Sequence, residues 1–558
     1  QYQNSRQLAI PIRLNFDHNE HTAHMKSRYS EVMTVAFSLR SDIDTPLYLQ
    51  IREGLRREIV AGTMAPGNRL PSSRQLARDL RVSRITVANA YAELEAEGLI
   101  EAQAGSGTFV LPPWNWALAQ SQEAACDFDG PSRWQETLRD SPSMARDQTL
   151  REALRSPAAG GIVSFAGSRG DVRLFPVDEF RKTIAQVLRE DGAVALDYEL
   201  SEGYLPLRQA LARYLRHQGI CVGPEEILIT AGAQQAIELV ARALLEPGDR
   251  VIVESPTYPG ALVTFESRRA VVIGVPLDAE GMRADALETE IGRTQPRLIY
   301  TVPTFHNPTG CVMSASRRCQ VVRLAHQYGV PILEDEYLRE VRFGNPIPPP
   351  LAICDRHGDV IHVGSFSKSL MPSLRLGYVV ARGPILERLV AFRRALDICS
   401  SALLQRALCR YLESGAMHSH WKRVSRVYRR RQAVMNAALR RHFPLGSRWT
   451  TVDGGLVLWV EVPPGVSVAR LFDEAQQVGI SFAVGEAFFP KSEDQPFMRL
   501  NFAALEEARI ERGVGALGEL LRRQLKEQEC RDHTANVESG AVPDRSHPGR
   551  LAHRRMTD

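Results

Sequence analysis

The sequence lacks the features of several protein classes. Its 8 cysteines are scattered along 558 residues, with no C-x-x-C pair and no cysteine–histidine cluster, which argues against a disulfide framework and a zinc site. No apolar run approaches the roughly 18 residues of a transmembrane helix, and the polar N-terminus has no signal-peptide core. The formal net charge is only +4, so any nucleic-acid site must be local. These absences favour a cytoplasmic protein with free thiols, without a metal and away from membranes.

The sequence has enough apolar residues, 44% of the total, to form a folded core. We divide it into an irregular or disordered extension (1–40), a small helical domain ending in a glycine-rich hairpin (41–111), and a proline-containing linker (112–161). An α/β domain follows, in which strand-like runs alternate with amphipathic helices (162–525), and a polar tail (526–558) that we expect to be disordered.

The small domain is predicted to contain three helices and a hairpin. Apolar residues recur every four positions from Leu47 to Ile59, which gives the first helix one buried face. Ser72 and Gln75 have the spacing of a capping box at the second helix, and Ser83 can cap the third. Two short strands then meet around Gly105 and Gly107. Three helices followed by a hairpin form a winged helix-turn-helix.

Positive charge is concentrated in this domain. The stretch from residue 69 to residue 84 contains five arginines and only one acidic residue, Asp79. The arginines are Arg69, Arg74, Arg78, Arg81 and Arg84. Such an excess suits contact with DNA phosphates, and Ser83, Arg84 and Thr86 begin the helix that would enter the major groove. Gly107 would let the wing approach the duplex closely. The alternative is a helical protein-interaction module with a solvated arginine face.

A family resemblance favours DNA binding over that alternative. The segments PSSRQLA, SRITV and GSGTFV, within about 65 matching residues, resemble the DNA-binding domain of the GntR family of bacterial regulators. The resemblance implies that Arg74, Arg84, Thr86 and Gly107 contact operator DNA.

The large domain places chemistry-bearing residues at the ends of predicted strands. Lys368 follows VIHVGSFS, Asp335 ends VPILED, and Asn307 lies in a proline-framed turn after LIYTVP. A small-residue turn joins ILIT to a helix and could receive an anion, and Tyr258 follows the strand VIVES. Pyridoxal phosphate needs a lysine, a carboxylate for its ring nitrogen, donors for its ring oxygen and a phosphate cradle. Each segment is weak alone, but together and in this order they point to that cofactor.

The segments resemble the fold-type I aminotransferases, over about residues 162–521. The resemblance implies that Lys368 forms the Schiff base with pyridoxal 5'-phosphate and that Asp335 holds the ring nitrogen. It implies the remaining roles by match: Asn307 and Tyr337 as donors to the ring oxygen, Tyr258 as the stacking ring, Ala233, Gln234, Ser365 and Arg375 at the phosphate, Tyr198 reaching the phosphate of a partner subunit, and Arg499 pairing with a carboxylate of the effector.

Two segments leave questions open. In SFAGSRGDVRLFP, Arg169 and residues 171–173 depart from the family's G-x-P-D pattern, which puts the identity of the effector in doubt. The strongly basic segment 420–443 could contact DNA or the linker, or simply be a solvated helix face.

A GntR-type domain followed by an aminotransferase-like domain resembles the MocR subfamily of regulators. This implies a homodimeric transcription factor that binds operator DNA and senses an amine or amino acid through the cofactor. Two alternatives stay open at this point. The chain could be a working aminotransferase with an accessory DNA-binding domain, or it could sense pyridoxal phosphate itself.

Overall fold

The structure is a computed structural model that describes residues 10–11, 34–35, 39, 45–103, 105–112, 162–491 and 495–538. The chain forms two compact units, Gln1–Arg139 and Asp140–Asp558. The predicted linker and most of the N-terminal extension lie outside the described residues. Within the extension, the strands β1 (Ile10–Pro11) and β2 (Thr34–Val35) pair antiparallel.

The N-terminal unit is a winged helix-turn-helix, as predicted. Its helices are α1 (Leu47–Val60), α2 (Ser73–Leu80) and α3 (Arg84–Ala96). The wing consists of β4 (Ile100–Gln103) and β5 (Gly107–Val110), which pair antiparallel. A strand that the sequence analysis did not anticipate, β3 (Arg69–Leu70), pairs with β5 and makes the wing three-stranded.

Helix caps and one apolar face hold this unit together. Ile51, Leu55 and Ile59 are fully buried against α3. The Oγ of Ser72 accepts from the backbone of Gln75, and the Oγ of Ser83 accepts from the backbone of Thr86, so both caps are confirmed. The capping box at α2 is only half formed, because the Gln75 amide donates to Asp79 instead of returning to the cap.

The large unit is built on a mixed eight-stranded sheet with the order β10-β9-β8-β11-β12-β13-β14-β7. Strands β9, β8, β11, β12 and β13 run parallel, while β14 is antiparallel to both of its neighbours. The strands are β7 (Ile227–Thr230), β8 (Arg250–Ser255), β9 (Val271–Asp278), β10 (Gly281–Met282), β11 (Leu298–Thr301), β12 (Ile332–Glu336), β13 (Val360–Ser365) and β14 (Gly377–Val380).

The helices of this unit cover the sheet and form a smaller subdomain. They are α4 (Val177–Glu190), α5 (Leu205–His217), α6 (Ala233–Leu244), α7 (Pro259–Ser267), α8 (Ala284–Thr294), α9 (Ala315–Tyr328), α10 (Pro384–Asp397), α11 (Ala402–Glu413), α12 (Ala416–His442), α13 (Val468–Gln477) and α14 (Glu507–Glu538). Central strands such as β12 and β13 are buried along their whole length, as expected of a parallel sheet covered on both faces.

A second sheet carries the C-terminal part of the unit. Its order is β15-β16-β19-β18, from β15 (Arg448–Trp449), β16 (Val457–Glu461), β18 (Ala483–Val484) and β19 (Phe497–Asn501). Beside it, β6 (Val163–Ser164) pairs in parallel with β17 (Ile480–Ser481). The beginning of the described part of this unit therefore pairs with a strand from its C-terminal part. Helix α12 packs along α14.

Two expectations from the sequence are wrong. The tail was expected to be disordered from Lys526, but α14 continues to Glu538. Glu527, near the start of the predicted tail, pairs with Arg470 of α13 at 2.5 Å. Cys319 and Cys354 form a disulfide with their Cα atoms 5.4 Å apart, although free thiols were expected. These cysteines are 35 residues apart, and the fold brings them together where α9 packs beside the turn at residues 351–353.

Two absences concern the parts of the chain that the structure describes. There, no helix is both long enough and apolar enough to cross a membrane. No group of three or more histidine, cysteine, aspartate or glutamate side chains in those parts is placed to hold a metal ion.

Candidate cofactor site and DNA-contacting surface

Lys368 lies in the turn directly after β13, at the end of the sheet where β12 also delivers Asp335. Among the described residues its amine has no hydrogen bond or ion pair. Burial, together with the positive charges of Arg499, Arg375 and Arg169, lowers the pKa of Lys368 to about 8. Near neutral pH a much larger fraction of this amine is therefore neutral than in an ordinary lysine, and the neutral amine is the form that attacks a carbonyl carbon.

Asp335 is the buried carboxylate at this end of the sheet. It is 3% exposed, and its Oδ2 accepts from the hydroxyl of Tyr300 on β11 at 2.9 Å. Its Oδ1 is buried without a partner among the described residues. Burial raises the pKa of Asp335 to about 7 despite the Tyr300 bond. A protonated ring nitrogen placed against Oδ1 would satisfy that oxygen and favour the ionised carboxylate.

A cradle for an anion lies at the N-terminus of α6. Gly232 begins this helix with φ at +94°, and a Cβ built there would come within 3.4 Å of the Arg375 guanidinium. Arg375 donates to the Ala231 carbonyl at 2.6 Å and reaches the Ser367 hydroxyl at 3.4 Å. The first amides of α6, at Ala233 and Gln234, have no intrahelical partner. Helix amides and an arginine converging in this way suit a phosphate.

Ser365 and Gln234 contribute to this cradle less directly than predicted. The Ser365 hydroxyl accepts from the backbone of Ser367 at 3.2 Å and so shapes the turn before Lys368. The Gln234 side chain donates to the Gly260 carbonyl and to Thr264, and accepts from the hydroxyl of Tyr258 at 2.9 Å. Gln234 therefore positions Tyr258 with its side chain and offers only its backbone amide to an anion.

Tyr258 is held beside the groups named above. It precedes α7. Burial raises the pKa of its hydroxyl to about 12, and Asp335, Arg499 and Arg375 all act on that hydroxyl electrostatically. This mutual influence places Tyr258 within the same cluster as the predicted ring-nitrogen and phosphate partners. Stacking of its ring on the cofactor stays a prediction.

Arg499 joins the second sheet to this cluster. It lies on β19, is 3% exposed, and donates to Asn307 Oδ1 at 2.7 Å and to the Ala166 carbonyl at 2.5 Å. Its Nε is buried without a partner among the described residues. Burial lowers the pKa of Arg499 to about 10, so it stays charged at neutral pH. A charged guanidinium with spare donors in a buried site is suited to a carboxylate.

The two predicted donors to the ring oxygen differ in availability. The amide oxygen of Asn307 is used by Arg499, which leaves its NH₂ group to donate. The hydroxyl of Tyr337 already donates to the Phe305 carbonyl at 2.9 Å. Its proposed role as a ring-oxygen donor therefore requires that bond to be exchanged.

Residues 162–171, which we call the covering segment, are hydrogen-bonded to β19 and α12 beside this site. Asn501 of β19 donates to the carbonyls of Gly167 at 2.5 Å and Arg169 at 2.9 Å, beside the Arg499 bond to Ala166. Asp171 is buried and accepts from Arg431 of α12 at 2.7 Å. Burial alone would raise the pKa of Asp171, but the bonds from Arg173 and Arg431 lower it below its ordinary value. Asp171 thus fastens the segment, whereas Arg169 acts on Lys368.

Tyr198 is the predicted site residue that the fold keeps apart from the others. Its side chain is 77% exposed, and it lies in the loop before α5. Two residues that the sequence analysis missed belong to the site: Tyr300, which holds Asp335, and Ser367, which contacts Arg375. Tyr300 sits within an ordinary strand pattern, so only the pairing of β11 with β12 identifies it.

The arrangement fits pyridoxal phosphate. The unpartnered Oδ1 of Asp335 could accept from a protonated ring nitrogen, and the cradle at Gly232 offers amides and Arg375 to a phosphate. Lys368, with no partner among the described residues and a lowered pKa, supplies the amine. When bound, the cofactor supplies a ring that withdraws electrons from a substrate carbon.

The surface predicted to contact DNA lies at the start of α3 and on the wing. Arg74 and Arg84 are exposed, and neither side chain has a partner among the described residues. Gly107 in the wing has φ at +125°, and a Cβ there would meet the guanidinium of Arg69 at 2.5 Å. The absence of a side chain at Gly107 therefore lets Arg69 lie across the wing.

Ser83 and Thr86 are less free than the arginines. The Ser83 hydroxyl caps α3 and lies 2.7 Å from the Thr86 hydroxyl. Between them in the sequence, Ile85 is 73% exposed, a candidate contact that sequence reasoning missed. An exposed apolar group at this end of a recognition helix can contact a thymine methyl group.

Known protein families match residues in both units. The model of the family "Aminotransferase class I and II" matches residues 168–517, and that of "Bacterial regulatory proteins, gntR family" matches residues 47–110. The "Uncharacterized HTH-type transcriptional regulator YdfD" of Bacillus subtilis (strain 168) is 31% identical over 86% of this chain and 96% of its own length. The "Probable rhizopine catabolism regulatory protein MocR" of Rhizobium meliloti is 31% identical over 86% of this chain and 94% of its own length.

Among solved structures, the α-aminoadipate aminotransferase LysN from Thermus thermophilus is similar to the large unit. It is 36% identical, with a TM-score of 0.66, and the match covers 71% of this chain and all of that one. That crystal structure contains N-(5'-phosphopyridoxyl)-L-leucine.

Proposed function

The chain belongs to the aminotransferase class I and II family, with a gntR-family domain ahead of the aminotransferase-like one, and we propose that it is a DNA-binding transcriptional regulator of the MocR type. It uses pyridoxal phosphate in its large unit to sense an amine or amino acid. The observation that carries this proposal is the coexistence, in one chain, of an exposed arginine surface on a winged helix and, at one end of the sheet, a half-buried lysine and a buried aspartate with shifted pKa values.

The residues of the large unit have separate tasks in this function. Asp335 would hold the ring nitrogen, and the Gly232 cradle with Arg375 would hold the phosphate. Lys368 would supply the neutral amine for attachment, and its Nζ can hold a proton when it is not attached. Arg499 receives a carboxylate of the effector, if it carries one. An effector that engages these groups differently from the resting state can shift a conformational equilibrium, whereas one that binds both states equally cannot.

The bond between Arg499 and the covering segment offers a route for the signal. The Arg499 guanidinium donates to the Ala166 carbonyl at 2.5 Å. A carboxylate that binds Arg499 competes with that carbonyl for the same donor group. The segment that would lose this bond continues in sequence, toward the N-terminus, into residues 112–161, which lead to the DNA-binding domain. Effector binding would thereby be converted into a change at the C-terminal end of the linker.

A homodimer is part of the proposal. Apolar residues around Tyr198 are exposed: Val194 at 63%, Leu196 at 68% and Leu200 at 61%. Exposed apolar side chains clustered in this way mark an interaction surface. A second copy of the chain covering them would bury the cluster and bring Tyr198 to the phosphate site of the partner subunit.

A regulator of this kind acts where the chromosome is, which in bacteria such as those that carry its relatives is the cytoplasm.

The second candidate function is aminotransferase activity. It is favoured by the completeness of the site, since Lys368, Asp335 and Arg499 all occupy positions suited to the chemistry. Sustained exchange of amino groups between an amino acid and a 2-oxo acid would support the enzyme. A response that stops after one amino-group transfer, together with altered DNA affinity, supports the sensor.

The test uses Lys368→Ala in the full chain. An operator is first selected from a random-sequence library by the protein itself, and its affinity is then titrated with and without cofactor and a panel of amines. We expect the variant to lose the absorbance of the covalently bound cofactor and the effector response, which in the wild type changes affinity by about 5- to 150-fold. Operator binding without effector should persist, because the DNA contacts lie in the other unit.

Lys182→Ala, on the exposed surface of α4, is the matched control and should behave like the wild type. Normal effector-dependent regulation by Lys368→Ala would contradict sensing through this lysine. A response to cofactor alone, unaffected by any amine and by Arg499→Ala, would show that pyridoxal phosphate itself is the signal.

A further inference from the structure

A cleft in the large unit, separate from the cofactor site, is lined by an excess of cations. It has a volume of about 980 Å³ and lies between the C-terminal end of α5, the loop after β12 and the first half of α12. Cationic side chains on its walls include Arg342 from the loop and, from α12, Lys422, Arg426 and Arg429. Glu340 is the one carboxylate among the lining residues. We call this cleft the basic groove.

The cations of α12 are divided between two faces of the helix. Lys422, Arg426 and Arg429 fall within about 60° of each other at 3.6 residues per turn. All three are exposed, and none has a hydrogen bond or ion pair with the described residues.

Arginines on other faces of the same helix are used by the fold. Arg423 donates to the Leu174 carbonyl, Arg430 pairs with Glu507 at 2.6 Å, and the buried Arg431 pairs with Asp171 at 2.7 Å. Packing therefore accounts for these arginines and leaves the groove-facing cations unexplained.

The single carboxylate does little to offset this charge. Glu340 accepts a hydrogen bond from the hydroxyl of Tyr214 on α5. Burial raises its pKa, so its charged form is disfavoured relative to an exposed glutamate. The groove accordingly presents a nearly uniform positive surface, which favours an anionic partner.

The cations form a row, which favours an extended anion over a small one. From Lys422 to Arg429 the helix rises by about 10 Å, a length over which one strand of duplex DNA carries about three phosphates. A small anion would need donors that converge on one point, as they do at Arg375 and Gly232. We propose that the basic groove contacts the phosphate backbone of DNA flanking the segment bound by the winged helix. This inference rests on the proposed DNA-binding function, since the winged helix holds the duplex at high local concentration.

The experiment compares the full, cofactor-loaded chain with the triple variant Lys422→Gln, Arg426→Gln, Arg429→Gln. The probe is a mixed-sequence duplex of about 40 base pairs, and affinity is measured as a function of salt. Each lost phosphate contact lowers the slope of log affinity against log salt by about one. Affinity falls as salt rises from about 50 to about 200 mM. With all three contacts removed, this fall should be about 40-fold smaller in the variant than in the wild type.

A matched control removes the same charge elsewhere. The triple variant Arg181→Gln, Lys182→Gln, Arg189→Gln changes three exposed cations on α4, which does not line the groove. It should keep the wild-type slope, and both triple variants should keep the cofactor absorbance. An unchanged slope in the groove variant would overturn the proposal, as would an equal decrease in both variants, which would reflect net charge alone.

Two further arms separate this inference from its premises. Arg84→Ala tests the winged helix, so a loss there with no effect in the groove variant refutes the groove alone. Absence of any salt-dependent DNA binding in the wild type refutes the proposed function as well. If inorganic pyrophosphate raises the melting temperature of the wild type but not of the groove variant, while the DNA slope is unchanged, the groove holds a small anion and the proposal is wrong.

Discussion

The ionisation of Lys368 can be tested directly by the rate at which the cofactor attaches. Burial and the charges of Arg499, Arg375 and Arg169 lower its pKa from 10.5 to about 8. At pH 7 about 10% of the amine is then neutral, compared with about 0.03% for an ordinary lysine, a difference of about 300-fold. Since only the neutral amine attacks, the attachment rate should rise about tenfold per pH unit below pH 8 and level off above it.

The assay mixes cofactor-free protein with pyridoxal phosphate from about pH 6 to about pH 10 and follows the absorbance of the attached cofactor. Borohydride reduction followed by mass spectrometry identifies the modified lysine, and Lys368→Ala provides the blank. Arg499→Gln should move the midpoint to higher pH, because it removes the largest of the charges that disfavour the ammonium. The midpoint should stay below 10.5, since burial remains.

Two results would refute this reasoning. A rate that still climbs tenfold per unit beyond pH 9 would mean that Lys368 keeps the ordinary pKa of about 10.4. An unchanged midpoint in Arg499→Gln would mean that the charge of this arginine does not reach the amine. Arg181→Gln, an exposed cation on α4, is the control and should leave the midpoint where it is.

Two other substitutions test the sites separately. Arg84→Ala removes an exposed cation without a described partner at the start of α3; operator affinity should fall by about 1–3 kcal/mol if it contacts a base edge, or the salt slope by about one if it contacts a phosphate. An unaltered affinity and slope would count against the predicted docking, and the cofactor spectrum should not change. Asp335→Asn removes the carboxylate expected at the ring nitrogen, so cofactor affinity should fall by about 10- to 150-fold and exchange of the Cα proton of a bound amino acid, followed by NMR, should slow. Exchange at the original rate would show that Asp335 has another role.

Local patterns were sufficient to predict much of the fold. The caps at Ser72 and Ser83 involve bonds across only three residues, and the wing joins neighbouring strands. The same holds for the ends of the sheet strands. Asp335 and Lys368 follow apolar runs that the structure pairs as β12 and β13, so their proximity follows from the parallel order of the sheet.

Contacts between distant parts of the chain could not be predicted in this way. Tyr300 reaches Asp335 across 35 residues, and Arg431 reaches Asp171 across 260. The pairing of Cys319 with Cys354 depends on how α9 meets a turn, and the continuation of α14 to Glu538 involves the ion pair with Arg470 on another helix. Composition predicted disorder for that tail because a polar sequence does not reveal partners elsewhere in the chain.

Two of the residues that depart from the family pattern, Asp171 and Arg169, have different roles in the structure. Asp171 is buried, receives bonds from Arg173 and Arg431, and fastens the covering segment to α12. Its role is structural, because its carboxylate is used by these two arginines. Arg169 instead acts electrostatically on Lys368, together with Arg499 and Arg375. Since Arg375 belongs to the phosphate cradle and Arg499 to the predicted carboxylate site, Arg169 is the cation of this set with no role carried over from the family. The question that the unusual segment raised about the effector therefore narrows to one side chain, Arg169.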